Sequence, residues 1–271
     1  MENIVNKLRK IASESVQELD KPICNKHGKP IHYQKNLETG EIYCPVCKLE
    51  KLKEAKIQEL QKKMFQRSYR NYLRENSLVD RKSTFNYRFD SFEYKPGSIE
   101  ERTYQQARQL AGFYYKNPNK TGNSLLFGNA GSGKTHLAMS ILNAVNSSSK
   151  DPMQKCLFLS ATALFKALKA YMSDSVTNKW STDYATKIVS GADLVVIDDL
   201  GAESVGKEAT AFVQTTLQDI YEANQRIITT TNLTMDELQA TYHSRLVSRF
   251  LEGSRGKLID FTNVDDKRMW Q

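Results

Sequence analysis

The chain lacks any run of about 18 consecutive apolar residues, so no segment of it reads as a membrane-spanning helix. Its first ten residues, MENIVNKLRK, are polar and contain no apolar secretory core. A cytoplasmic protein with no membrane partner is the expectation. Cysteine is scarce: Cys24, Cys44, Cys47 and Cys156 are the four among 271 residues. In a reducing compartment so few thiols suggest a metal site rather than a disulfide framework. Internal repeats and low-complexity tracts are missing too, which excludes solenoid and array architectures. Acidic residues are the minority charge, 31 against 39 Lys and Arg, leaving a net charge of +8 and a pI near 9.1. That surplus suits an anionic partner such as nucleic acid, or is charge that only keeps the protein soluble. What is present argues for a packed core: 39% of residues are hydrophobic, with 11 Phe and 13 Tyr to bury, which excludes a disordered chain. At about 150 residues per domain, the length allows one large domain or two unequal ones.

The helical spacing of Ile4, Val5, Leu8 and Ile11 predicts a short amphipathic helix over residues 1–20. Residues 21–47 hold three of the cysteines and read as a hairpin, with arms at 30–34 and 41–43 and a turn around Glu38, Thr39 and Gly40. Residues 48–75 contain neither Gly nor Pro, and Ile57, Leu60, Met64, Ser68 and Tyr72 follow the 3.6-residue period, so one long helix is expected. Residues 48–82 carry 11 Lys and Arg against 5 Asp and Glu, so most of the net positive charge sits here. Such a helix is either a solvated linker or a surface that also meets nucleic acid or protein. After Tyr87 the texture changes. Helical segments at 98–115, 134–145 and 161–172 alternate with apolar strands at 124–127, 156–159, 194–197, 226–230 and 257–261, with Ser147, Ser148 and Ser149 as a loop. Strand–helix alternation implies an α/β fold with a parallel sheet. The expected organisation is a small domain at 1–47, a basic helical linker at 48–84 and a large α/β domain at 85–271.

Gly128, Asn129, Ala130, Gly131, Ser132, Gly133, Lys134 and Thr135 fit G-x-x-x-x-G-K-[ST]. Small residues let the backbone wrap close to phosphate oxygens, so that successive N–H groups form an anion nest. The following helix, which includes His136, adds the positive end of its dipole. Lys134 would reach the β- and γ-phosphates of ATP, and the Thr135 hydroxyl would ligate Mg²⁺. The loop has its required context, a strand before it and a helix after it. A second element must supply a carboxylate for the metal. The apolar run ending in Asp198 and Asp199 does so. Side chains alternate along a strand, so the two acids cannot share one orientation. Asp198 is placed to hold Mg²⁺ through water, and Asp199 is the candidate for polarising the attacking water, with Glu203 as a reserve base. Asn232, at the tip of the 226–230 strand, either orients that water or serves as a turn residue ahead of the helix starting at Thr234.

Cys24-x₂-His27, then sixteen residues, then Cys44-x₂-Cys47 is a zinc pattern. Three thiolates and one imidazole suit Zn²⁺, and two such knuckles close a tetrahedron. About 50 residues bury too little apolar surface alone, so a metal staple answers a physical need. With no open ligand position the site is structural. His32 is a substitute ligand. Cys156 begins an apolar strand and reads as a buried core thiol.

The stretches LLFGNAGSGKTHLA, LVVIDDLGAE, ITTTNL and SRLVSRF, in that order and spacing, resemble an AAA+ ATPase, most closely the bacterial replicative helicase loaders and related transposition ATPases of the DnaC, DnaI and IstB group. The resemblance covers about residues 85–265. It implies a five-stranded AAA+ sheet, a γ-phosphate-sensing role for Asn232, and an arginine finger among residues 244–250. Arg249 matches the finger by motif position, and Arg245, four residues earlier on the same helix face, would be its neighbour at an interface between copies. Residues 262–271 are too few for the usual C-terminal lid, as in the shorter loaders. Asp199 stands where many AAA+ enzymes have Glu, which implies slow hydrolysis. Zinc-containing loaders join an N-terminal module that contacts the helicase to an ATPase that contacts single-stranded DNA. The implied function is an ATP-dependent loader of a DnaB-type hexameric helicase onto single-stranded DNA, self-associating through the ATP site. The alternatives are a DNA-targeting ATPase of transposition and a nucleotide-switched adaptor. Lys166 and Lys169 are either a DNA contact or a solvated face.

Overall fold

The computed structural model describes residues 16–148, 153–204 and 208–267. Two compact units divide the chain, residues 1–65 and 66–271.

In the first unit, β1 (Val16–Cys24), β2 (Ile31–Asn36) and β3 (Ile42–Tyr43) form an antiparallel meander in the order β1-β2-β3. Register runs from Val16 opposite Asn36 to Cys24 opposite Ile31, with an irregularity between Leu19 and Ile23. The expected hairpin is β2–β3. Its turn is closed by the Asn36 carboxamide, whose oxygen accepts the Glu38 and Thr39 N–H groups at 2.8 and 2.9 Å, while Gly40 supplies a φ of +74°. The helix expected over residues 1–20 is corrected in part: residues 16–20 are strand, because they pair with β2 in a register that opposes Val16 to Asn36. The rest of that expectation lies outside the described residues. α1 (Pro45–Asn76) follows directly, starting at the missing N–H of proline, which a first helical turn does not need. It runs 32 residues with no glycine to break it.

The second unit contains the end of α1, then α2 (Ile99–Lys116), β4 (Ser124–Gly128), α3 (Lys134–Ser148), β5 (Cys156–Ser160), α4 (Ala161–Ser173), α5 (Thr182–Ser190), β6 (Leu194–Leu200), α6 (Ala211–Ala223), β7 (Ile227–Thr231), α7 (Met235–Thr241), α8 (Ser244–Phe250) and β8 (Leu258–Phe261). The five strands β4 to β8 make one sheet in the order β5-β6-β7-β4-β8, and every pairing is parallel. Helices cover both faces, and two buried apolar clusters fill the layers between. The central strands are apolar throughout because both faces are covered. Leu78 pairs with β5 through its N–H to Phe158 and its carbonyl to Ser160, which shields that sheet edge. α3 continues one turn past the expected end, through Ser147 and Ser148; Ser149 lies outside the described residues. Among the described residues no helix is long and apolar enough to cross a membrane.

One buried cation organises the sheet's N-terminal edge. Arg226, 7% exposed, donates to the carbonyls of Tyr114, Asn117, Lys120 and Asp193 and to Gln154 Oε1. It thereby ties the end of α2 and the residues leading into β5 and β6 to the start of β7.

Candidate functional site

A parallel sheet brings the C-terminal ends of its strands to one edge, where ligands bind in α/β folds. Here β4 ends at Gly128, β6 carries Asp198 and Asp199 just before its end at Leu200, and β7 ends in Thr231 before Asn232. Gly128 has a φ of +123°, and a Cβ there would lie 2.4 Å from the Thr262 backbone nitrogen, so this corner accepts only glycine. Gly133 has a φ of +93° and faces the Phe92 ring, where a Cβ would come within 2.7 Å of Cε2. Lys134, 6% exposed, folds back on the loop, its Nζ donating to the carbonyls of Gly128 (2.8 Å) and Asn129 (2.6 Å). Ser132 Oγ donates to the same Asn129 carbonyl at 2.7 Å. The amide of Asn129 donates to the Thr262 carbonyl, and the Lys267 N–H to that of Gly131 at 3.1 Å. The segment after β8 thus lies along the loop, with the Asp266 carboxylate against Gly131.

The loop and the acids meet. Thr135 Oγ1 donates to Asp198 Oδ2 at 3.1 Å, and Thr230 Oγ1 donates to Asp198 Oδ1 at 2.6 Å. Burial pushes the Asp198 carboxyl up to about 6 against the lowering effect of those two hydroxyls, and the charges of Asp199 and Asp80 add to the rise. A bound cation reverses that balance. The β6–β7 register slips between Ile197 and Leu200, and Asp199 has a φ of +57°. This bulge turns the second acid out of the strand. Asp199 is held by its N–H to Thr230 Oγ1 at 2.8 Å and by Asn232 Nδ2 to its Oδ1 at 2.8 Å. Asp198, Asp199, Asn232, Lys134 and Thr135 are therefore one constellation. His136 follows Thr135, but its ring stacks on Tyr87 at 4.4 Å, and its Nε2 lies 2.9 Å from the Arg88 carbonyl. A carbonyl only accepts, so Nε2 carries the proton; burial lowers the imidazole pKa. The imidazole is thereby committed to the chain segment preceding α2.

Arg245 and Arg249 stand elsewhere. The carbonyl of Arg249 accepts from Asn123, the residue preceding β4, at 2.8 Å. Five residues of strand, about 17 Å, separate Asn123 from Gly128. The pair therefore lies toward the edge opposite the phosphate loop. Arg249 binds Glu252 at 2.9 Å and Glu222 at 3.7 Å, and the more exposed Arg245 reaches Glu222 at 3.9 Å. Lys166 and Lys169 are exposed on α4. Cys156 is fully buried, and burial raises its thiol pKa far above the ordinary value.

In the first unit, Cys24 closes β1, His27 sits in the following turn, Cys44 follows β3 and Cys47 lies in the first turn of α1. One ligand atom from each lies within 4.8 Å of all the others. Cys24 Sγ and Cys47 Sγ are 3.7 Å apart, against about 3.8 Å for two sulfurs on a tetrahedral ion at 2.3 Å. His27 Nε2 is 3.1 Å from Cys47 Sγ, and its Nδ1 faces Glu50 at 3.4 Å, an outer partner that orients a ligand ring. Burial, then the neighbouring thiols of Cys24 and Cys44, push the Cys47 thiol up to about 11. A metal ion would remove that penalty. The donor set fits Zn²⁺. His32 stands apart, its Nδ1 3.1 Å from the Leu19 carbonyl.

The sequence does not mark out Thr230, although its place between strand and turn beside Asn232 is a usable signal. The approach of Asp266 to Gly131 had none, since it depends on where β8 ends.

A family model described as IstB-like ATP binding protein matches residues 48–251, and the chain belongs to that family. The chromosomal replication initiator protein DnaA of Thermosipho africanus is 29% identical over 150 residues, covering 55% of this chain and 33% of the relative. DnaA of Thermotoga maritima is 27% identical over 176 residues, covering 64% of this chain and 36% of its own. The chain thus spans about a third of the length of these curated relatives. Among solved structures, the DnaC helicase loader superposes with a TM-score of 0.53 at 22% identity, covering 66% of this chain and 99% of that one. DnaI gives 0.50 at 19% identity, with 73% and 99% covered. Both likenesses concern the fold, a five-stranded parallel AAA+ sheet.

Proposed function

We propose that the protein is an ATPase that loads a DnaB-type replicative helicase onto single-stranded DNA. The observation that carries this reading is the pairing, in one chain of an ATP-binding family, of a Cys₃His cluster with a phosphate loop whose Thr135 meets Asp198 at 3.1 Å. In this reading Lys134 leaves the carbonyls of Gly128 and Asn129 for the β- and γ-phosphates, while loop N–H groups from Gly131 to Thr135 hold the phosphate oxygens. Thr135 and Asp198 hold Mg²⁺, which when bound neutralises charge on the phosphates. Asn232 fixes the Asp199 carboxylate, and Asp199 orients water toward the γ-phosphate. Its strained backbone fits a water-positioning group. Arg249, with Arg245 beside it, serves the nucleotide of a neighbouring copy, because it lies toward the edge away from its own loop. The proposed organisation is a zinc module at 1–47, a basic helix at 48–84 and an ATPase domain at 85–271.

The similarity to DnaA and the fold shared with DnaC and DnaI support a role at replication initiation. The test is co-purification of the full chain with a DnaB-type hexamer, with and without Mg·ATP, for the unaltered sequence and Cys44→Ser. Capture that is lost in Cys44→Ser while Mg·ATP still binds is expected. Failure to capture the helicase under either condition rejects the reading. The family match itself favours a second one, a DNA-targeting ATPase of transposition, and preference for duplex DNA with filament growth under ATP would select it.

A further inference from the structure

Glu203 lies in the turn of residues 201–204 that follows β6, and both its carboxylate oxygens are engaged. Oε2 accepts the Gly201 N–H at 2.9 Å. Oε1 accepts the phenol of Tyr242 and, at 3.3 Å, the Ser204 hydroxyl. A carboxylate bound this way braces its own turn and is not aimed at water, so the reserve-base role does not fit it. Tyr242, 2% exposed, caps α7 and stands immediately before His243, the N-cap of α8. Its ring packs edge-on against Phe250, with centroids 5.4 Å apart, and Phe250 is the residue next to Arg249. The start of α8 is pinned as well, by the His243 N–H to Gln214 Oε1 at 2.9 Å.

At the other end of the turn stand the groups assigned to the γ-phosphate. Asn232 and Thr230 hold Asp199, and the Thr231 hydroxyl donates to the Leu200 carbonyl at 2.7 Å. Gly201, with a φ of +102°, packs so tightly that a Cβ would meet Leu233 Cδ1 at 2.6 Å. A continuous run of contacts therefore leads from Asn232 through Asp199, Gly201, Glu203 and Tyr242 to Phe250. Its two ends are the water-positioning pair and the arginine helix. Close-packed elements of this kind shift together rather than deform.

We infer that Tyr242, held by Glu203, is a positioning residue that sets the α8 arginines against the nucleotide of the next copy, so that the Asp199–Asn232 pair of one subunit governs the site it completes in another. This rests on the assembly reading above. The full-length chain is assayed as Tyr242→Phe, which keeps the ring on Phe250 and removes only the hydroxyl. Alone it should hydrolyse ATP about tenfold more slowly than the unaltered chain, with Mg·ATP affinity within about twofold. Mixed with Lys134→Ala, whose loop is disabled but whose arginines are intact, it should recover activity. Glu203→Ala should behave the same, and the double variant should lose no more than either single one. If Tyr242→Phe fails to fold, Glu203→Ala alone carries the mixing experiment.

Unchanged activity, no recovery in the mixture, or additive losses overturn the inference. The control is Arg249→Ala mixed with Lys134→Ala. Recovery there but not with Tyr242→Phe removes the positioning role and leaves the assembly reading standing. No recovery in the control removes the assembly reading and this inference with it.

Discussion

Thr230→Val is the sharpest probe of the acid cluster, since it replaces one buried hydroxyl by a methyl of nearly equal size. The hydroxyl donates to Asp198 Oδ1 at 2.6 Å and accepts the Asp199 N–H at 2.8 Å. Thr230 is 1% exposed and Asp198 4%, so water does not readily replace the bond between them, whereas the bond from the half-buried Asp199 is more open to it. A hydrogen bond to a charged group contributes about 1.5–3 kcal/mol, and one to a half-buried N–H about 0.5–1.5 kcal/mol. The expected loss of unfolding free energy is therefore about 2–4 kcal/mol, read from urea denaturation at constant slope. Losing the donor also favours the neutral form of Asp198 and frees the Asp199 turn. Mg·ATP affinity should fall at least about tenfold, equivalent to 1.4 kcal/mol. Thr229→Val is the comparison. Its hydroxyl is equally buried but, among the described residues, meets only the Tyr221 phenol, at 2.6 Å, so it should cost about 1–2 kcal/mol and leave nucleotide affinity unchanged. If Thr230→Val costs less than about 1 kcal/mol, or if both variants bind Mg·ATP alike, then Thr230 does not hold the acids and the reasoning fails.

Arg226→Met removes the donor that serves four carbonyls and Gln154, and the acceptors of Tyr114 and Gln154 stay buried without it, so a loss of about 2–4 kcal/mol is expected in the same urea assay. A change under about 1 kcal/mol would show that water reaches this edge. Asp266→Asn removes a negative charge from beside Gly131, and Mg·ATP should bind about threefold tighter or more in a calorimetric titration; weaker binding would mean that the carboxylate holds the loop open for the nucleotide. Strong chelation should expose three fast-reacting thiols, those of Cys24, Cys44 and Cys47, while buried Cys156 reacts only in denaturant. Fewer than three new thiols after chelation would contradict a shared Cys₃His metal site.

Legibility followed the range of the interactions. The phosphate loop, the strand ending in Asp198 and Asp199, and the cysteine knuckles are local patterns, and a local pattern carries its own geometry. The five strands appeared within one to three residues of their expected limits because each is a short apolar run. What escaped was set by pairing between distant segments. The spacing of Ile4, Val5, Leu8 and Ile11 suggests a helix running to residue 20, yet β2 recruits residues 16–20 as strand. Arg226 opens an expected strand, and only the convergence of the Tyr114 and Asp193 carbonyls and the Gln154 carboxamide shows why it is buried. Glu203 invited a chemical role by its nearness to Asp198 in sequence, whereas Tyr242, 39 residues away, decides what it does.

Asp198 and Asp199 show why alternation alone was an incomplete guide. A regular strand would send one acid up and the other down, and the second would face the helices on the far side of the sheet. The register slip between Ile197 and Leu200 and the positive φ of Asp199 give the strand an extra residue just before its C-terminal end. The first acid stays within reach of Thr135, and the second swings onto Asn232 of the neighbouring strand's tip. Non-glycine backbone at φ near +57° costs free energy, which the Thr230 and Asn232 hydrogen bonds offset. Straightening the bulge would separate the acids by the full thickness of the sheet. For that reason Thr230, which touches both, matters as much to the constellation as the carboxylates themselves.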